Sequence, residues 1–286
     1  MKNVIHKIED WAQEKIISHE SIGGGSIADS KKIKTESGKE YFLKTGAQNP
    51  GMFPAEANGL MELERAAVIR IPHVFLADED FLLIEFIQAG PKVSRFFEDF
   101  GRQFARLHRV KGKQFGFKEN NFIGHTPQEN IPNENQAKDW VTFYYEKRLL
   151  FQFKLAEQQN LTSSKLNDGF QLLENKIESI LVGRNEPPCL LHGDLWSGNY
   201  LADEKGNPVI IDPAVYYGHR EADLAMTKLF GGFSSSFYRA YNETYPLEAG
   251  FEYRENIYKL YHVLNHLNLF GLGYQRQAVD LLWSYL

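Results

Sequence analysis

The chain has 286 residues, 43% of them hydrophobic and 14% aromatic, which is enough for one large domain or for two lobes that share a cleft. Its formal net charge of -5 argues against a general affinity for nucleic acid or anionic membranes, and no apolar run approaches the ~18 residues of a membrane span. The single cysteine, Cys189, excludes an internal disulfide, and without a signal-peptide pattern at the N-terminus we expect a cytoplasmic protein.

The first third of the sequence predicts a small antiparallel sheet and two helices. Residues 3–18 carry apolar side chains at helical spacing, which predicts a helix. Residues 21–46 then predict strand, glycine loop, strand, turn and strand, and residues 73–91 predict two further strands. A second helix is predicted at residues 53–67, where a proline suits the first turn.

After the Gly90-Pro91 pair the pattern becomes mostly helical. The next predicted helices cover residues 94–110, 137–159 and 163–183. Residues 200–203 and 208–211 predict a hairpin, and four helical stretches follow it to the C-terminus. The sequence therefore predicts an α+β fold with a β-rich N-lobe at residues 1–89, a helical C-lobe at residues 90–286, and a cleft between them.

Three side chains with oxygen atoms lie close together in the stretch LLHGDLWSGNYLADEKGNPVIID, residues 190–212. Asp194 and Asn199 are five residues apart and can face the same side of a tight loop, and Asp212 returns after the predicted hairpin. Carboxylate and amide oxygens suit Mg²⁺, and a carboxylate without metal can accept a proton from a hydroxyl group. The set predicts phosphoryl transfer, with an Asx-rich loop that only caps turns as the alternative.

The upstream region supplies further groups for such a reaction, in a fixed order. The glycine loop comprises Gly23, Gly24, Gly25 and Ser26. Its backbone N–H groups can approach phosphates closely, although many such loops are only turns. Lys44 ends an apolar strand, a position that is often at the surface, and Glu56 on the next helix could hold it by an ion pair. The order of the motifs, rather than any one of them, favours a phosphate site.

This order resembles that of the protein-kinase-like superfamily and implies its bilobal fold. The step from Asp194 to Asn199 in HGDLWSGN equals the step in the protein-kinase motif HRDxxxxN, and the HGD form is similar to aminoglycoside and choline phosphotransferases. The strings LLHGDLWSGN and DPAVYYGHREADLAMTKLFGGF resemble the fructosamine kinase (ketosamine-3-kinase) family. GGGSI, FLK, FPAEANGL and YHVLNHLNLFG fit the same family, so the resemblance covers nearly the whole chain.

The resemblance implies a kinase that uses ATP and Mg²⁺ to phosphorylate the sugar 3-hydroxyl of ketoamines, the adducts formed by glycation. Asp194 would accept the hydroxyl proton, while Asn199 and Asp212 would hold Mg²⁺. Trp196 and Tyr217 would line the acceptor pocket, with packing in the lobe core as the alternative for Trp196. The residues implied to bind ATP are Gly23, Gly24, Gly25, Ser26, Lys44, Glu56 and the hinge residues Glu85, Phe86 and Ile87, whose backbone would receive adenine.

The expected partner is a small-molecule ketoamine or a glycated lysine on a protein, with neither nucleic acid nor membrane bound. The sequence leaves the sugar and the oligomeric state open. Two other functions also stay open: a phosphotransferase for an aminoglycoside-like or choline-like acceptor, and an inactive nucleotide-binding module. The joint presence of Lys44, Asp194, Asn199 and Asp212 argues against the inactive module.

Several other residues allow two interpretations. We expect His192 to brace the catalytic loop through backbone hydrogen bonds rather than to act as a second base. Arg220, which follows His219, could meet a phosphate or lie in solvent before a helix. His262 and His266 have metal-ligand spacing, but an aromatic-rich core helix explains them better. We expect Cys189 to be a buried core thiol.

Overall fold

A computed structural model describes residues 1–22, 29–181 and 186–286 of the chain. Its N-terminal strands are β1 (Ile16–Ser21), β2 (Asp29–Thr35), β3 (Glu40–Thr45), β4 (Val74–Ala77) and β5 (Phe81–Glu85). They form one antiparallel sheet with the order β1-β2-β3-β5-β4, which confirms the predicted sheet. Two helices pack on it, α1 (Lys2–Ala12) and α2 (Met52–Ala66).

These two helices cover opposite faces of the sheet, which explains the continuous apolar run of β5. Side chains alternate between the two faces of a strand. Leu83 joins a cluster with Val4 and Ile8 of α1, whereas Leu82 joins the large core that contains α2. The same alternation in β3 places Lys44 on the α2 face, where it meets a carboxylate of that helix.

The helix predicted at residues 3–18 is too long at its C-terminal end. The helix ends at Ala12, because Gln13 adopts a left-handed conformation with φ 54°. The carboxylate of Glu9 then accepts a hydrogen bond from the backbone N–H of Ile16 at 2.9 Å, which fixes the turn into β1. Pairing with β2 supplies the backbone partners of residues 16–21, and apolar spacing alone did not distinguish this strand from a further turn of helix.

The remainder of the chain is mostly helical. The helices are α3 (Phe96–Leu107), α4 (Glu134–Lys138), α5 (Trp140–Tyr144), α6 (Phe151–Gln158), α7 (Ser164–Glu174), α8 (Ile177–Leu181), α9 (Glu221–Lys228), α10 (Ser235–Thr244), α11 (Phe251–Phe270) and α12 (Gln275–Trp283). A π-helical turn at Tyr145–Leu150 joins α5 to α6, and a 3-10 turn at Leu272–Tyr274 precedes α12. This composition confirms the predicted α+β class.

Three short antiparallel strand pairs lie among these helices. They are β6 (Asn121–Ile123) with β7 (Thr126–Gln128), β8 (Cys189–Leu191) with β11 (Tyr216–Gly218), and β9 (Tyr200–Ala202) with β10 (Pro208–Ile210). The last pair confirms the predicted hairpin. Every strand in the three pairs is only three residues long, too short for alternation to reveal it, and the hairpin was predicted from its turn signal Lys205-Gly206-Asn207.

The helix predicted at residues 137–159 is divided in the structure. Asp139 has extended backbone angles between α4 and α5, and its carboxylate accepts a hydrogen bond from the N–H of Thr142 as the N-cap of α5. Helix α4 has its own capping box, formed by Asn133 and Gln136. The helix predicted at residues 163–183 is likewise divided, into α7 and α8.

A polar junction joins the sheet to the helical part. The guanidinium of Arg70 donates to Glu85 Oε1 at the end of β5 (2.6 Å) and to Asp203 Oδ2 beside β9 (2.7 Å). The N–H of Gly90 also donates to the carbonyl of Ala202 at 2.9 Å. These contacts lie close to residues 89 and 90, where the sequence analysis places the boundary between the two lobes. That boundary stays a prediction. No helix in the described part of the chain has both the length and the apolar character needed to cross a bilayer.

Candidate active site

The loop that carries Asp194 begins where β8 ends and is pressed against the chain that follows β10. Gly193 has φ 84°, and a Cβ at this position would lie 2.0 Å from the carbonyl oxygen of Ala214. Real Cβ atoms do not approach an oxygen so closely, so this position requires glycine. The close approach brings the loop of Asp194 beside the segment that contains Asp212.

His192 braces this loop, as the sequence predicted. Its Nδ1 accepts the backbone N–H of Asp194 at 3.2 Å, and its Nε2 lies 2.9 Å from the carbonyl of Ile211. Because Nδ1 is the acceptor, Nε2 carries the proton and donates it to that carbonyl. The ring is buried, and burial lowers its pKa, which keeps it neutral. The His192 ring thus links the backbone of Asp194 to the residue just before Asp212.

Asp223 on α9 also holds this loop. Its Oδ2 accepts the backbone N–H of His192 at 2.7 Å, and its Oδ1 accepts that of Gly193 at 2.8 Å. His108, whose other ring nitrogen contacts the hydroxyl of Tyr241, lies 3.2 Å from Oδ2. Burial raises the pKa of Asp223, but the interactions with His108, His192 and the N–H of Gly193 together outweigh it and keep the pKa below its ordinary value.

Sequence reasoning missed Asp223, although one signal for it was present. The segment EADLAMT carries two carboxylates among mostly apolar residues, and carboxylates in a helix that is buried along most of its length require buried partners. The sequence could not show that these partners would be the N–H groups of a loop 30 residues upstream.

The structure brings Asp194, Asn199 and Asp212 together at one cavity. The amide nitrogen of Asn199 donates to the backbone carbonyl of Asp194 at 2.8 Å, to Asp194 Oδ2 at 3.2 Å and to the carbonyl of Asp212 at 3.4 Å. These bonds all use the amide nitrogen and not the amide oxygen Oδ1. Asp212 has φ 54°, a strained backbone conformation of the kind that is often found at functional sites.

Lys44 and Glu56 join this set of side chains. The ammonium of Lys44 lies 2.6 Å from Glu56 Oε1 and 2.6 Å from Asp212 Oδ1. Burial lowers the pKa of Lys44, but the two carboxylates outweigh it, so its pKa stays above the ordinary value and the side chain is charged. The sheet, α2 and the segment after β10 therefore meet at one buried ammonium group.

Burial raises the pKa of the Asp194 carboxyl well above its ordinary value, and the negative charge of Asp212 raises it further. The amide of Asn199 opposes this rise by donating to the carboxylate. A carboxylate with a raised pKa is a stronger base than an exposed one, which suits proton transfer from a hydroxyl group.

The cavity measures about 550 Å³, and Trp196 forms part of its wall. The indole lies over Gly198, where an added Cβ would come within 2.5 Å of the ring. Its side chain is 36% exposed, so it is not packed in the core. The structure therefore places Trp196 where the sequence analysis expected an acceptor wall.

Other predicted site residues lie elsewhere. The Tyr217 hydroxyl donates to Glu62 at 2.8 Å, and its ring packs on Gly112, away from the residues that line the cavity. The side chains of Glu85, Phe86 and Ile87 also do not line it, and Glu85 is paired with Arg70. The glycine loop of Gly23, Gly24, Gly25 and Ser26 lies outside the described residues.

The remaining candidates have clear positions. Arg220 is buried and donates two hydrogen bonds to the carboxylate of Glu186. Both interpretations of Arg220 from the sequence, a phosphate contact and a solvent position, are therefore wrong. Cys189 is a buried thiol, as predicted, and burial raises its pKa. His262 is a core residue of α11, but His266 lines the cavity, so the core assignment holds for only one of the two histidines.

The whole chain, residues 1–286, matches the family model described as fructosamine kinase. The chain belongs to the fructosamine kinase family. A protein-ribulosamine 3-kinase of Arabidopsis thaliana is 42% identical to this fructosamine kinase family member over 277 residues, which cover 93% of this chain and 82% of that protein. The family membership confirms the resemblance found in the sequence and, with it, the prediction of a phosphotransferase enzyme.

Solved structures of the fructosamine kinase type share this fold. A candidate fructosamine-3-kinase from Thermobifida fusca is 30% identical, with a TM-score of 0.88 over 100% of this chain and 99% of that one. A choline kinase from Streptococcus pneumoniae, only 17% identical, has a TM-score of 0.67 over 99% of both chains, which shows the fold alone. The predicted bilobal kinase-like architecture is confirmed by both likenesses.

We expect Asp223→Asn to lower both stability and turnover. Each carboxylate oxygen accepts a backbone N–H, so in either orientation the new amide NH₂ faces one of these donors and leaves it unpaired. A buried donor without a partner costs about 1–3 kcal/mol, and a displaced loop can lower kcat by about 10²-fold. Thermal unfolding and steady-state kinetics measure both effects. Asp280→Asn, on the exposed face of α12, is the control, and wild-type kcat in Asp223→Asn would contradict the role.

Proposed function

We propose that this protein transfers the terminal phosphoryl group of ATP to the 3-hydroxyl of the sugar part of a ketoamine. The observation that supports it best is the convergence of Asp194, Asn199 and Asp212 on a cavity that also contains Lys44. A 42% identical relative is named a protein-ribulosamine 3-kinase, which points to a ketoamine acceptor. Catalysis at such a site consists mainly of positioning and charge neutralisation.

In this proposal Asp194 accepts the proton of the attacking hydroxyl. Asn199 donates to Oδ2 of this carboxylate, so Oδ1 is the oxygen left for the sugar. The raised pKa of Asp194 makes proton transfer more favourable than it would be for an exposed aspartate. The bonds to His192 and Asp223 hold the loop, so the carboxylate is in place before the substrate binds.

Lys44 contacts phosphate oxygens of ATP, and Asp212 with Oδ1 of Asn199 holds Mg²⁺. The ion, when bound, neutralises negative charge on the phosphates. Residues 1–22, 29–181 and 186–286 contain no group of three or more histidine, cysteine, aspartate or glutamate side chains that could hold a metal. Mg²⁺ needs only one or two carboxylates because phosphates and waters complete its coordination, so Asp212 and Asn199 fit it.

The proposed contacts to adenine and to the glycine loop are inferred from membership of the fructosamine kinase family alone. Adenine meets the backbone of Glu85, Phe86 and Ile87, while the side chain of Glu85 is held by Arg70. The phosphates meet the backbone of residues 23–26. Trp196 covers the apolar face of the sugar, since its ring lies exposed in the cavity wall two residues after Asp194.

The acceptor is a ketoamine either as a small molecule or on a protein lysine, and we propose a cytoplasmic site of action. The Arabidopsis relative is named as chloroplastic, so location differs within the family.

The test is ATP-dependent phosphorylation of a panel of acceptors. We expect ribulosyl-lysine and fructosyl-lysine to be phosphorylated, and choline and aminoglycosides to remain unchanged, with Asp194→Asn lowering kcat by about 10²–10⁴-fold. The KM for ATP should change little, because Asp194 does not contact the nucleotide in this scheme. Asp168→Asn on the exposed face of α7 is the control. Phosphorylation of choline or an aminoglycoside with no activity on ketoamines would refute the proposed acceptor.

The pH dependence of kcat/KM gives a separate prediction. Asp194 acts only when it is deprotonated, and its pKa is raised above 3.8, so activity should fall as the pH is lowered through a midpoint above that value. ATP also titrates at acid pH, and the profile of Asp194→Asn separates the two effects. The ratio of wild-type to variant kcat/KM should decline toward acid pH. A ratio that is constant with pH would show that Asp194 is not the base.

A further inference from the structure

A set of buried amide side chains holds the segment that follows Asp212. Asn121 Nδ2 donates to the carbonyl of Val215 at 2.8 Å, and Gln128 Nε2 donates to the carbonyl of Ala214 at 3.0 Å. Asn121 begins β6 and Gln128 ends β7, and both side chains are buried. One short hairpin therefore binds the carbonyl groups of the second and third residues after Asp212.

The backbone of Asp212 depends on such contacts. Its φ of 54° is uncommon for a residue other than glycine. A conformation of this kind persists only where the surrounding structure imposes it. On the N-terminal side the carbonyl of Ile211 is held by His192, and on the C-terminal side Asn121 and Gln128 hold the chain. Asp212 thus lies between two fixed points.

The orientation of the Asn121 amide is determined by two donors. Asn130 Nδ2 donates to Asn121 Oδ1 at 2.7 Å, and Gln128 Nε2 donates to the same oxygen at 2.8 Å. An asparagine amide carries its oxygen and its NH₂ group on different branches. Because both donors meet the oxygen, the NH₂ group is the one that faces Val215.

Arg148 in turn determines the orientation of Asn130. Its Nη2 donates to Asn130 Oδ1 at 2.6 Å, and a guanidinium can only donate hydrogen bonds. The NH₂ group of Asn130 must then face Asn121. Arg148 is fully buried in the π-helical turn before α6, and its guanidinium carbon lies 4.0 Å from the ring centre of Tyr216. Turns of this type are frequent at functional sites.

The neutral partner of this buried cation is unusual. The hydrogen bonds of Arg148 go to the carbonyls of Glu129 and Lys147 and to Asn130 Oδ1, and none of these acceptors carries a charge. A carboxylate at position 130 would compensate the guanidinium better. Only the amide, however, supplies the NH₂ group that Asn121 receives. The choice of residue therefore favours the direction of the hydrogen bonds over the pairing of charge.

We propose that Asn121 is a positioning residue for Asp212, and that Arg148, acting through Asn130, keeps the NH₂ group of Asn121 turned toward Val215. Gln128 supports the same orientation. This assignment rests on the proposed function, in which Asp212 holds Mg²⁺. It adds to that function a set of buried residues on which the affinity of the site for Mg²⁺ with nucleotide depends.

Asn130→Asp separates the orientation of the amides from the stability of the fold. The new carboxylate pairs with Arg148, so we expect a melting temperature at or above that of the wild type. It cannot donate to Asn121 Oδ1, so Asn121 must turn its NH₂ group away from Val215. We expect the Kd of Mg·ADP, measured by isothermal titration calorimetry, to rise about five- to fiftyfold. The Kd of ADP in EDTA and the KM for the ketoamine should stay within about twofold of wild type.

Asn130→Ala carries the opposite expectation. It leaves the Arg148 guanidinium without this acceptor, so the melting temperature should fall. Gln128 still donates to Asn121 Oδ1 and keeps its orientation, so the Kd of Mg·ADP should stay within about threefold of wild type. Asn3→Asp, which adds the same charge at an exposed position of α1, is the matched control and should change neither quantity.

The two variants distinguish positioning from a structural role alone. A Kd of Mg·ADP that follows the melting temperature in both variants would overturn the assignment, as would wild-type affinity in Asn130→Asp. Failure of Asn130→Asp to fold would also overturn it, because the assignment requires Arg148 to accept a carboxylate in place of the amide. A wild-type protein that binds ADP equally with and without Mg²⁺ would instead overturn the proposed metal role of Asp212, before any variant is compared.

Discussion

The Lys44 ammonium lies inside the protein between two carboxylates, each 2.6 Å away. An ammonium group in such a position without partners would lose several kcal/mol of hydration, so its burial requires both Glu56 and Asp212. One partner comes from α2 and the other from the segment after β10. This pairing fixes the sheet, α2 and the segment that carries Asp212 relative to one another.

The loop of Asp194 is held by different means. Its backbone N–H groups are bound by the carboxylate of Asp223 and the ring of His192, and its glycine lies against the carbonyl of Ala214. These groups keep their hydrogen bonds inside the protein, whereas Asp194 and Lys44 face the cavity. Fixed groups behind the loop therefore leave the groups in front of it free for substrate.

Two kinds of side chain line the cavity. Its charged end contains three carboxylates and one ammonium, and its other end is a surface of aromatic rings. A phosphate donor with its cation suits the first, and an apolar or cationic amine suits the second.

By itself the sequence determined the fold class, the family and the residues that meet over short stretches. Asp194, Asn199 and Asp212 come together because a tight loop and a hairpin return them to one place, and this geometry follows from their spacing. Only the tertiary structure decided the contacts between distant segments, namely Asp223 under the loop, the buried pair of Arg220 with Glu186, and the position of His266 beside Phe230. It also placed Tyr217 away from the cavity and ended the first helix at Ala12. Such contacts depend on how helices pack around a common core, and the spacing of residues along one segment carries no information about the segment that packs against it.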